Sequence, residues 1–242
     1  MSGKHLSILL VLSLLIFSCT NGNDGDPEPP IDPDLGKSYF FLEEGKYREY
    51  DVTEIRYIRI DSSVTTNYQI REEVREAFDA VDAEKAHLLY RFSREDENDD
   101  WALDSVWSSR VERNRAILTA NNVQFIKMAF PSNTVTTWDT NLFNGRPEEI
   151  IQLKTFNEPF TVGFNTFLNA SEIDISTFED PIVGNDIRKE VYADSIGLVF
   201  RESEIVTYCT RPSLCEPGTQ VIESGRYYRE ELIAHGNVND EN

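Results

Sequence analysis

Apolar residues recur at every second position in several segments of the chain. The pattern is clearest in residues 86–92, 123–130 and 196–200. A period of two places successive side chains on opposite faces of a strand. The pattern therefore predicts β-strands in all three segments.

Residues 71–81 give two signals that disagree. Their Glu, Arg and Ala content favours a helix by propensity. The apolar residues in and just before this stretch nevertheless share one parity, as on one face of a strand: Tyr68, Ile70, Val74 and Phe78. We interpret the stretch as part of a long strand, with a helix as the alternative.

Clusters of Gly, Pro, Asn and Asp separate the apolar runs, at residues 96–100, 131–133, 144–147 and 217–218. Such clusters favour turns, so consecutive strands should run antiparallel in a meander. The prediction is a mostly β fold (β or α+β). It is a single domain with a long antiparallel meander sheet of about ten strands, twisted or curled. Short helical insertions are expected near 147–150 or 178–186.

The start of the chain has the profile of a signal peptide. Lys4 and His5 precede an apolar run from Leu6 to Phe17. This run is shorter than the roughly 20 residues that span a bilayer. It leads into Ile-Phe-Ser-Cys, which resembles the lipobox of bacterial lipoproteins and ends at Cys19. Residues 1–18 are therefore predicted to be a lipoprotein signal peptide, cut before a cysteine that carries the lipid.

The domain boundaries follow from composition. Residues 19–36 hold the lipidated cysteine and a stretch rich in Pro, Gly and Asp, which predicts a disordered acidic tether. Residues 37–234 are predicted to be the single β-rich domain. Residues 235–242 are predicted to be a disordered tail.

The chain is strongly acidic, with 43 Asp and Glu against 23 Lys and Arg and a formal net charge of -20. This charge repels the phosphate backbone, so no nucleic-acid partner is expected. A membrane partner is expected through the lipid on Cys19.

Cys209 and Cys215 are the two cysteines that remain once Cys19 is lipidated. A close pair in an exported protein predicts a structural disulfide. A redox pair is the alternative, but the spacing is not Cys-x-x-Cys and no helix start follows to lower a thiol pKa.

The sequence contains no recognisable catalytic constellation. His87 and His235 lie far apart in sequence, and His and Cys show no zinc spacing. Nucleophile-elbow, phosphate-loop and dinucleotide motifs are missing from the sequence. We therefore expect no catalytic residues, no cofactor, no metal site and no enzymatic activity.

An acidic cluster in residues 96–100 is the one candidate for a metal. Oxygen ligands at alternate positions could wrap calcium, and the cluster offers Asp96, Asn98, Asp99 and Asp100. It lacks the turn glycine and the final bidentate glutamate of a calcium loop. A solvated hairpin loop is the favoured interpretation.

Three segments resemble uncharacterised lipoproteins of Bacteroidetes. They are Tyr-Phe-Phe-Leu-Glu-Glu-Gly and the spaced aromatics after it in residues 39–52, the Phe-Pro and Thr-Trp-Asp-Thr-Asn motifs in 130–141, and residues 190–199. The resemblance spans most of residues 39–232. The chain departs from the family where proline, tryptophan, glycine and glycine are usual, at Phe41, Arg48, Thr140 and Ser195.

The resemblance implies an anchored domain of the bacterial cell envelope, on the outer membrane, with the membrane face left open. It brings no catalytic residues with it. Asp104-Ser105-Val106 also resembles a short O-glycosylation acceptor of Bacteroidetes.

Three functions are compatible with the sequence. The first is a non-enzymatic binding or accessory module of the envelope, with a protein, glycan or apolar ligand. The second is a carrier of an apolar ligand in the curved sheet, and the third is a hydrolase. A large apolar cavity would favour the carrier, and converging His, Asp and Ser side chains would favour the hydrolase.

Overall fold

The computed structural model describes residues 32–80, 85–133 and 136–240. The predicted signal peptide, Cys19 and the tether up to residue 31 lie outside the described residues. Within the described ranges, no helix is long and apolar enough to cross a membrane.

In the part of the chain that the structure describes, twelve antiparallel strands form one sheet. They are β1 (Lys46–Arg59), β2 (Ser62–Asp79), β3 (Lys85–Arg94), β4 (Ala102–Glu112), β5 (Arg115–Ala120), β6 (Val123–Ala129), β7 (Thr137–Asp139), β8 (Ile150–Val162), β9 (Asn165–Asp180), β10 (Gly184–Ala193), β11 (Gly197–Tyr208) and β12 (Ile222–Asn237). The predictions of a mostly β fold and an antiparallel meander are confirmed, with twelve strands in place of about ten.

The strand order is β6-β5-β4-β3-β2-β1-β12-β11-β10-β9-β8-β7. The first and last strands pair at the centre, from Lys46 opposite Asn237 to Tyr57 opposite Gly225. The two edge strands, β6 and β7, approach each other, and the Ile126 N–H donates to the Thr140 carbonyl at 2.9 Å. The sheet is therefore curled and nearly closed, with an inner and an outer face.

The ambiguous stretch is a strand as far as Asp79, and residue 81 lies outside the described residues. It belongs to β2, where Tyr50 pairs with Ile70 on one side, and Val74 pairs with Leu89 on the other. A register shift follows Val74. The shift breaks the parity of the apolar positions, so Phe78 is exposed although Ile70 and Val74 are buried.

The predicted positions of the short helices are wrong. The short helices are 3-10 turns at Lys37–Tyr39 and Val238–Asp240, not at 147–150 or 178–186. In the second region Asp180 instead accepts the N–H groups of Ile182 and Val183 and forms a tight turn between β9 and β10.

The predicted tail is also wrong for residues 235–237, because β12 runs to Asn237 in register with the start of β1. Backbone pairing does not require apolar side chains, so this polar end gave no strand signal. Residues 238–240 form the second 3-10 turn, and residues 241–242 lie outside the described ranges.

The domain also starts earlier than residue 37. Residues 32–36 form turns, and the Leu35 carbonyl accepts the Ser132 N–H at 2.8 Å. Gly36 has φ 92°, and a Cβ there would lie 2.4 Å from Ser132 Oγ. Leu35 and Gly36, the last two residues of the predicted tether, are thus packed against the β6–β7 connection, while residues 32–34 are exposed.

The structure joins Cys209 to Cys215, which confirms the predicted disulfide. Cys209 is buried directly after β11, and its N–H donates to the Val221 carbonyl at 2.8 Å. The bond closes the loop between β11 and β12.

Replacing Cys209 and Cys215 together with serine should lower the free energy of unfolding by roughly 2 to 3 kcal/mol, because the open loop gains entropy in the unfolded chain. Urea unfolding of the double variant and of the wild type measures this. Wild type treated with reductant should match the variant. Equal stability of oxidised and reduced protein would contradict the prediction.

Candidate functional site

The inner face of the sheet carries a continuous chain of buried charges. We call it the ion chain. Positive and negative side chains alternate along it in the order Arg48, Glu72, Arg91, Glu230, Arg201, Glu190 and Lys127. These residues come from β1, β2, β3, β12, β11, β10 and β6, so the ion chain links both halves of the sheet.

Every link in the ion chain is an ion pair. Arg48 Nη2 lies 2.6 Å from Glu72 Oε1, and Arg91 Nη1 lies 3.2 Å from Glu72 Oε2. Arg91 Nη2 is 3.4 Å from Glu230 Oε1, whose other oxygen is 2.7 Å from Arg201 Nη1. The two Arg91 contacts are the longest links.

At the other end, Glu190 Oε1 lies 2.9 Å from Arg201 Nε and 2.7 Å from Lys127 Nζ. Lys127 is on an edge strand, whereas Glu190 is on β10, so this pair reaches across the interior. The ion chain therefore helps to hold the curled sheet closed.

Tyrosine hydroxyls complete the hydrogen bonds of the carboxylates. Tyr192 donates to Glu190 Oε2 at 2.6 Å, and Tyr228 donates to Glu230 Oε2 at 3.1 Å. Burial raises the pKa of both phenols, and the neighbouring carboxylates raise it further. Both tyrosines are therefore neutral donors at physiological pH.

The pKa values of the charged members show whether burial or the neighbouring charges have the stronger effect on each group. Burial alone would raise the pKa of Glu190, but the charges of Lys127 and Arg201 outweigh it and lower the pKa to about 2. Burial lowers the pKa of Lys127, and Glu190 only partly opposes this. The Glu190 carboxylate is therefore firmly ionised, whereas burial destabilises the charged form of Lys127.

Arg48 sits at one end of the ion chain and also binds backbone. Its Nη1 donates to the carbonyls of Ile196 at 2.9 Å and Phe41 at 3.2 Å. Gly197 has φ 98°, and a Cβ there would lie 2.5 Å from Arg48 Nη1. This glycine therefore leaves the space that the guanidinium occupies.

A small inner cavity of about 40 Å³ adjoins the ion chain. Its charged lining includes Arg48, Lys127 and Arg201, and residues 40–42 line it as well. The volume suits a few water molecules or one small ligand group.

A much larger cleft of about 1000 Å³ opens beside the inner cavity. Its aromatic lining comprises Tyr68, Phe92, Trp107 and Tyr228, and its cationic lining comprises Arg91, Arg94, Arg201 and Arg226. Glu95, Asp99, Asp100 and Asp104 also line the cleft. Trp107 and Arg201 line both the cleft and the inner cavity, so the two spaces are adjacent.

Trp107 is the central aromatic residue of this region. The Arg91 guanidinium lies 4.2 Å from the centre of its ring. Its indole Nε1 is buried and has no hydrogen-bond partner among the described residues. Because buried N–H donors are normally satisfied, this donor is available to a water molecule or to a ligand in the adjacent spaces.

The cleft lies toward one end of the sheet. The β3–β4 loop and the starts of β2 and β12 contribute to it. The chain enters at the opposite end, where the Ser195 N–H donates to the Ser38 carbonyl beside the β10–β11 turn. The cleft is therefore remote from the point where the chain enters the domain.

The histidines do not form a site together. His87 lies on β3 opposite Ala77 and Ser109, and burial lowers its pKa. His235 lies on β12 opposite Arg48, and burial and the nearby positive charges lower its pKa. Neither residue lines the cleft or the inner cavity.

The acidic cluster in residues 96–100 forms a self-contained turn. Asp96 Oδ1 accepts the Asn98 N–H at 2.9 Å, and Asp99 Oδ2 accepts the Asp96 N–H at 3.0 Å. In the part of the chain that the structure describes, no group of three His, Cys, Asp or Glu side chains could hold a metal ion. Asp104 and Ser105 lie on β4, where Ser105 Oγ donates to the Asp104 carboxylate.

Sequence reasoning did not find the ion chain. Its seven members lie on seven different strands, and two of its six links, Arg91–Glu230 and Lys127–Glu190, cross the interior. Some members have charged neighbours in sequence, such as Arg229 and Glu231 beside Glu230, whereas Lys127 has the apolar neighbours Ile126 and Met128. One signal was present: Arg48 stands where the family that the sequence resembles usually has tryptophan.

No model of a known protein family matches the chain, and comparison with curated proteins finds no match. Two solved structures are similar in fold. A protein from Bacteroides fragilis, described as exported and with a YmcC-like fold, has 12% identity and a TM-score of 0.44 over 82% of this chain and 98% of that chain. A protein from Parabacteroides distasonis, described as a lipoprotein, has 9% identity and a TM-score of 0.41 over 81% of this chain and 98% of that chain.

Proposed function

We propose that this protein is a lipoprotein of the bacterial cell envelope that binds a small organic acid in its cleft. Lipid on Cys19 holds it on a membrane, and it acts as a binding module without catalysis. The observation that carries the ligand proposal is the cleft, in which aromatic rings and arginine side chains lie side by side next to the ion chain.

The anchor is supported by the leader sequence. A short basic start, an apolar run and a lipobox ending at Cys19 fit a lipoprotein precursor. A cysteine that carries two or three acyl chains binds a membrane stably, because each buried methylene contributes about 0.8 kcal/mol. The outer membrane is the proposed location.

Replacing Cys19 with alanine should release the protein from the membrane fraction, because the thiol that accepts the lipid is lost. Metabolic labelling with a fatty-acid analogue, followed by fractionation, measures both lipid and location. Ser18→Ala is the matched control, since a small residue remains before the cysteine and labelling should persist. Label retained on the Cys19 variant would contradict the anchor.

The ligand class follows from charge balance. The ion chain has four cations and three carboxylates, which leaves one positive charge in excess. Uncompensated buried charge is unfavourable, so a ligand carboxylate beside Lys127 and Arg201 would stabilise the site. A planar or apolar remainder of the ligand would stack on Trp107 in the cleft.

The charged lining also favours an acidic ligand over the purely apolar ligand of a carrier. Four arginines and four carboxylates line the cleft, and charged pairs occupy the interior beside it. A purely apolar ligand would desolvate these groups without pairing them. An acid with an aromatic or aliphatic body matches both kinds of lining.

Native mass spectrometry of protein purified from its own membranes should reveal the bound molecule. As a defined probe, aryl carboxylates such as indole acetate should bind, and their neutral amides should bind at least about tenfold more weakly, since one charged hydrogen bond is lost. Equal binding of acids and amides would contradict the charge argument and favour the apolar carrier.

Trp107→Leu should weaken binding of the same carboxylate by about tenfold or more, because the stacking surface is lost. Isothermal titration calorimetry measures the change. Trp101→Leu is the matched control: Trp101 also lies under an arginine, Arg94, but does not line the cleft. Equal losses in both variants would show that the cleft is not the site.

A further inference from the structure

The hairpin of β8 and β9 ends in an apolar tip that no described residue covers. Phe164 in the turn is fully exposed at 107%, and Leu168 is 72% exposed. Large exposed apolar side chains that lie close together usually mark a contact surface. We call residues 160–168 the hairpin tip.

The outer part of the hairpin is also almost free of charge. Residues 155–171 contain one charged residue, Glu158, in a chain in which 27% of residues are charged. An uncharged segment can enter an apolar phase without desolvating ions. The rest of the surface is strongly acidic and could enter an apolar phase only by desolvating its charged side chains.

Other apolar residues of the hairpin tip pack against the sheet, whereas Phe164 and Leu168 stay exposed. The Phe160 ring packs against the Phe200 ring at 5.5 Å, and Val162 is only 4% exposed. Thr161 and Thr166 share a hydrogen bond across the hairpin. Phe164 and Leu168 are therefore presented by a fixed element rather than by a loose loop.

The middle of β8 meets the chain where it enters the domain. The Tyr39 hydroxyl donates to Asn157 Oδ1 at 2.9 Å, and the Tyr39 ring lies 5.5 Å from the Phe156 ring. From Asn157 to Phe164 a strand spans at most about 24 Å. The hairpin tip is thus close to the chain that leads back to the lipidated cysteine.

The length of that chain allows membrane contact. Asp32 stands thirteen positions after Cys19, and a fully extended chain of this length spans at most about 45 Å. The domain therefore stays within reach of the bilayer that holds the lipid. We propose that the hairpin tip inserts Phe164 and Leu168 into this bilayer and fixes the orientation of the domain on it.

This proposal rests on the proposed lipid anchor. A bilayer is the partner that the hairpin fits, because aromatic and aliphatic side chains without charges partition into the interface. The lack of charge makes the contact independent of anionic headgroups, which the acidic domain would repel.

The test uses the lipidated full-length mature protein in vesicles of neutral phosphatidylcholine with brominated acyl chains, which quench tryptophan at membrane depth. Phe164→Trp should add an emission that the brominated lipid quenches, relative to the wild-type background. Ile182→Trp is the matched control. Ile182 is 55% exposed and lies in the turn at the other end of β9, so its tryptophan should stay unquenched.

A second variant measures the strength of the contact. Without the lipid, in protein that comprises residues 19–242 and carries Cys19→Ala, replacing Phe164 with serine should lower partitioning into the same vesicles by about tenfold. The serine variant should keep the wild-type unfolding midpoint, because the side chain it replaces is exposed.

The outcomes separate the two proposals. If the lipidated protein floats with the vesicles but the tryptophan at 164 is unquenched, the anchor stands and the hairpin contact is wrong. The same holds if both introduced tryptophans are quenched alike. If the lipidated protein does not float, both proposals are wrong.

Discussion

Glu230→Gln should lower the free energy of unfolding by about 3 to 5 kcal/mol, the cost of removing one partner from a buried ion pair. Glu230 has no exposed surface, and its two oxygens bind Arg91, Arg201 and Tyr228. The amide keeps the shape of the side chain but removes the negative charge between two buried guanidinium groups. Urea unfolding at neutral pH measures the change.

The next residue supplies the control. Glu231 lies on the outer face, where its side chain is 29% exposed and pairs with Arg229. Glu231→Gln should change the stability by less than about 1 kcal/mol, as exposed ion pairs do. If both variants lose the same stability, the ion chain does not hold the fold.

Stability should fall as the pH is lowered from about 4.5 to about 2, because the pKa of Glu190 is lowered from 4.5 to about 2 in the folded protein. A carboxyl with a lowered pKa stabilises the fold above its unfolded pKa, and this contribution is lost as the pH falls through the folded pKa. The shift corresponds to roughly 3 kcal/mol. Glu72, whose pKa the charges of Arg48 and Arg91 lower despite burial, changes stability in the same direction.

Urea unfolding at a series of pH values measures this loss. Glu190→Gln should flatten the curve below pH 4.5, since the titrating group is gone, although it lowers stability at neutral pH. Glu202→Gln is the control, because Glu202 pairs with Lys189 away from the ion chain. If the stability of the Glu190 variant falls below pH 4.5 as steeply as that of the wild type, Glu190 is not the group responsible.

The ion chain connects stability to the proposed binding site. The same guanidinium of Arg201 pairs with Glu190 and Glu230 and lines both the inner cavity and the cleft. A ligand carboxylate would therefore meet side chains that are already held in place. Such preorganisation limits the entropy lost on binding.

The sequence by itself determined the class of fold. The period of two in residues 86–92, 123–130 and 196–200 identified strands that the structure contains, because alternation is a local property of a strand with one buried face. The pair Cys209 and Cys215 could be assigned for a similar reason: the bond joins neighbours in sequence. Phe78 shows the limit, because a register shift depends on the partner strand and leaves no local signal.

The candidate site was decided by the tertiary structure alone. Lys127 and Glu190 are 63 positions apart, and Arg91 and Glu230 are 139 apart. Arg91 and Lys127 each stand between apolar neighbours in sequence, a pattern that equally suits a strand whose polar face is exposed to solvent. Only the curling of the sheet turned that face inward, brought opposite charges together and made their burial possible. A pattern of single residues records which side of a strand is apolar, but not which charges will meet across the interior when the two edges of the sheet approach each other.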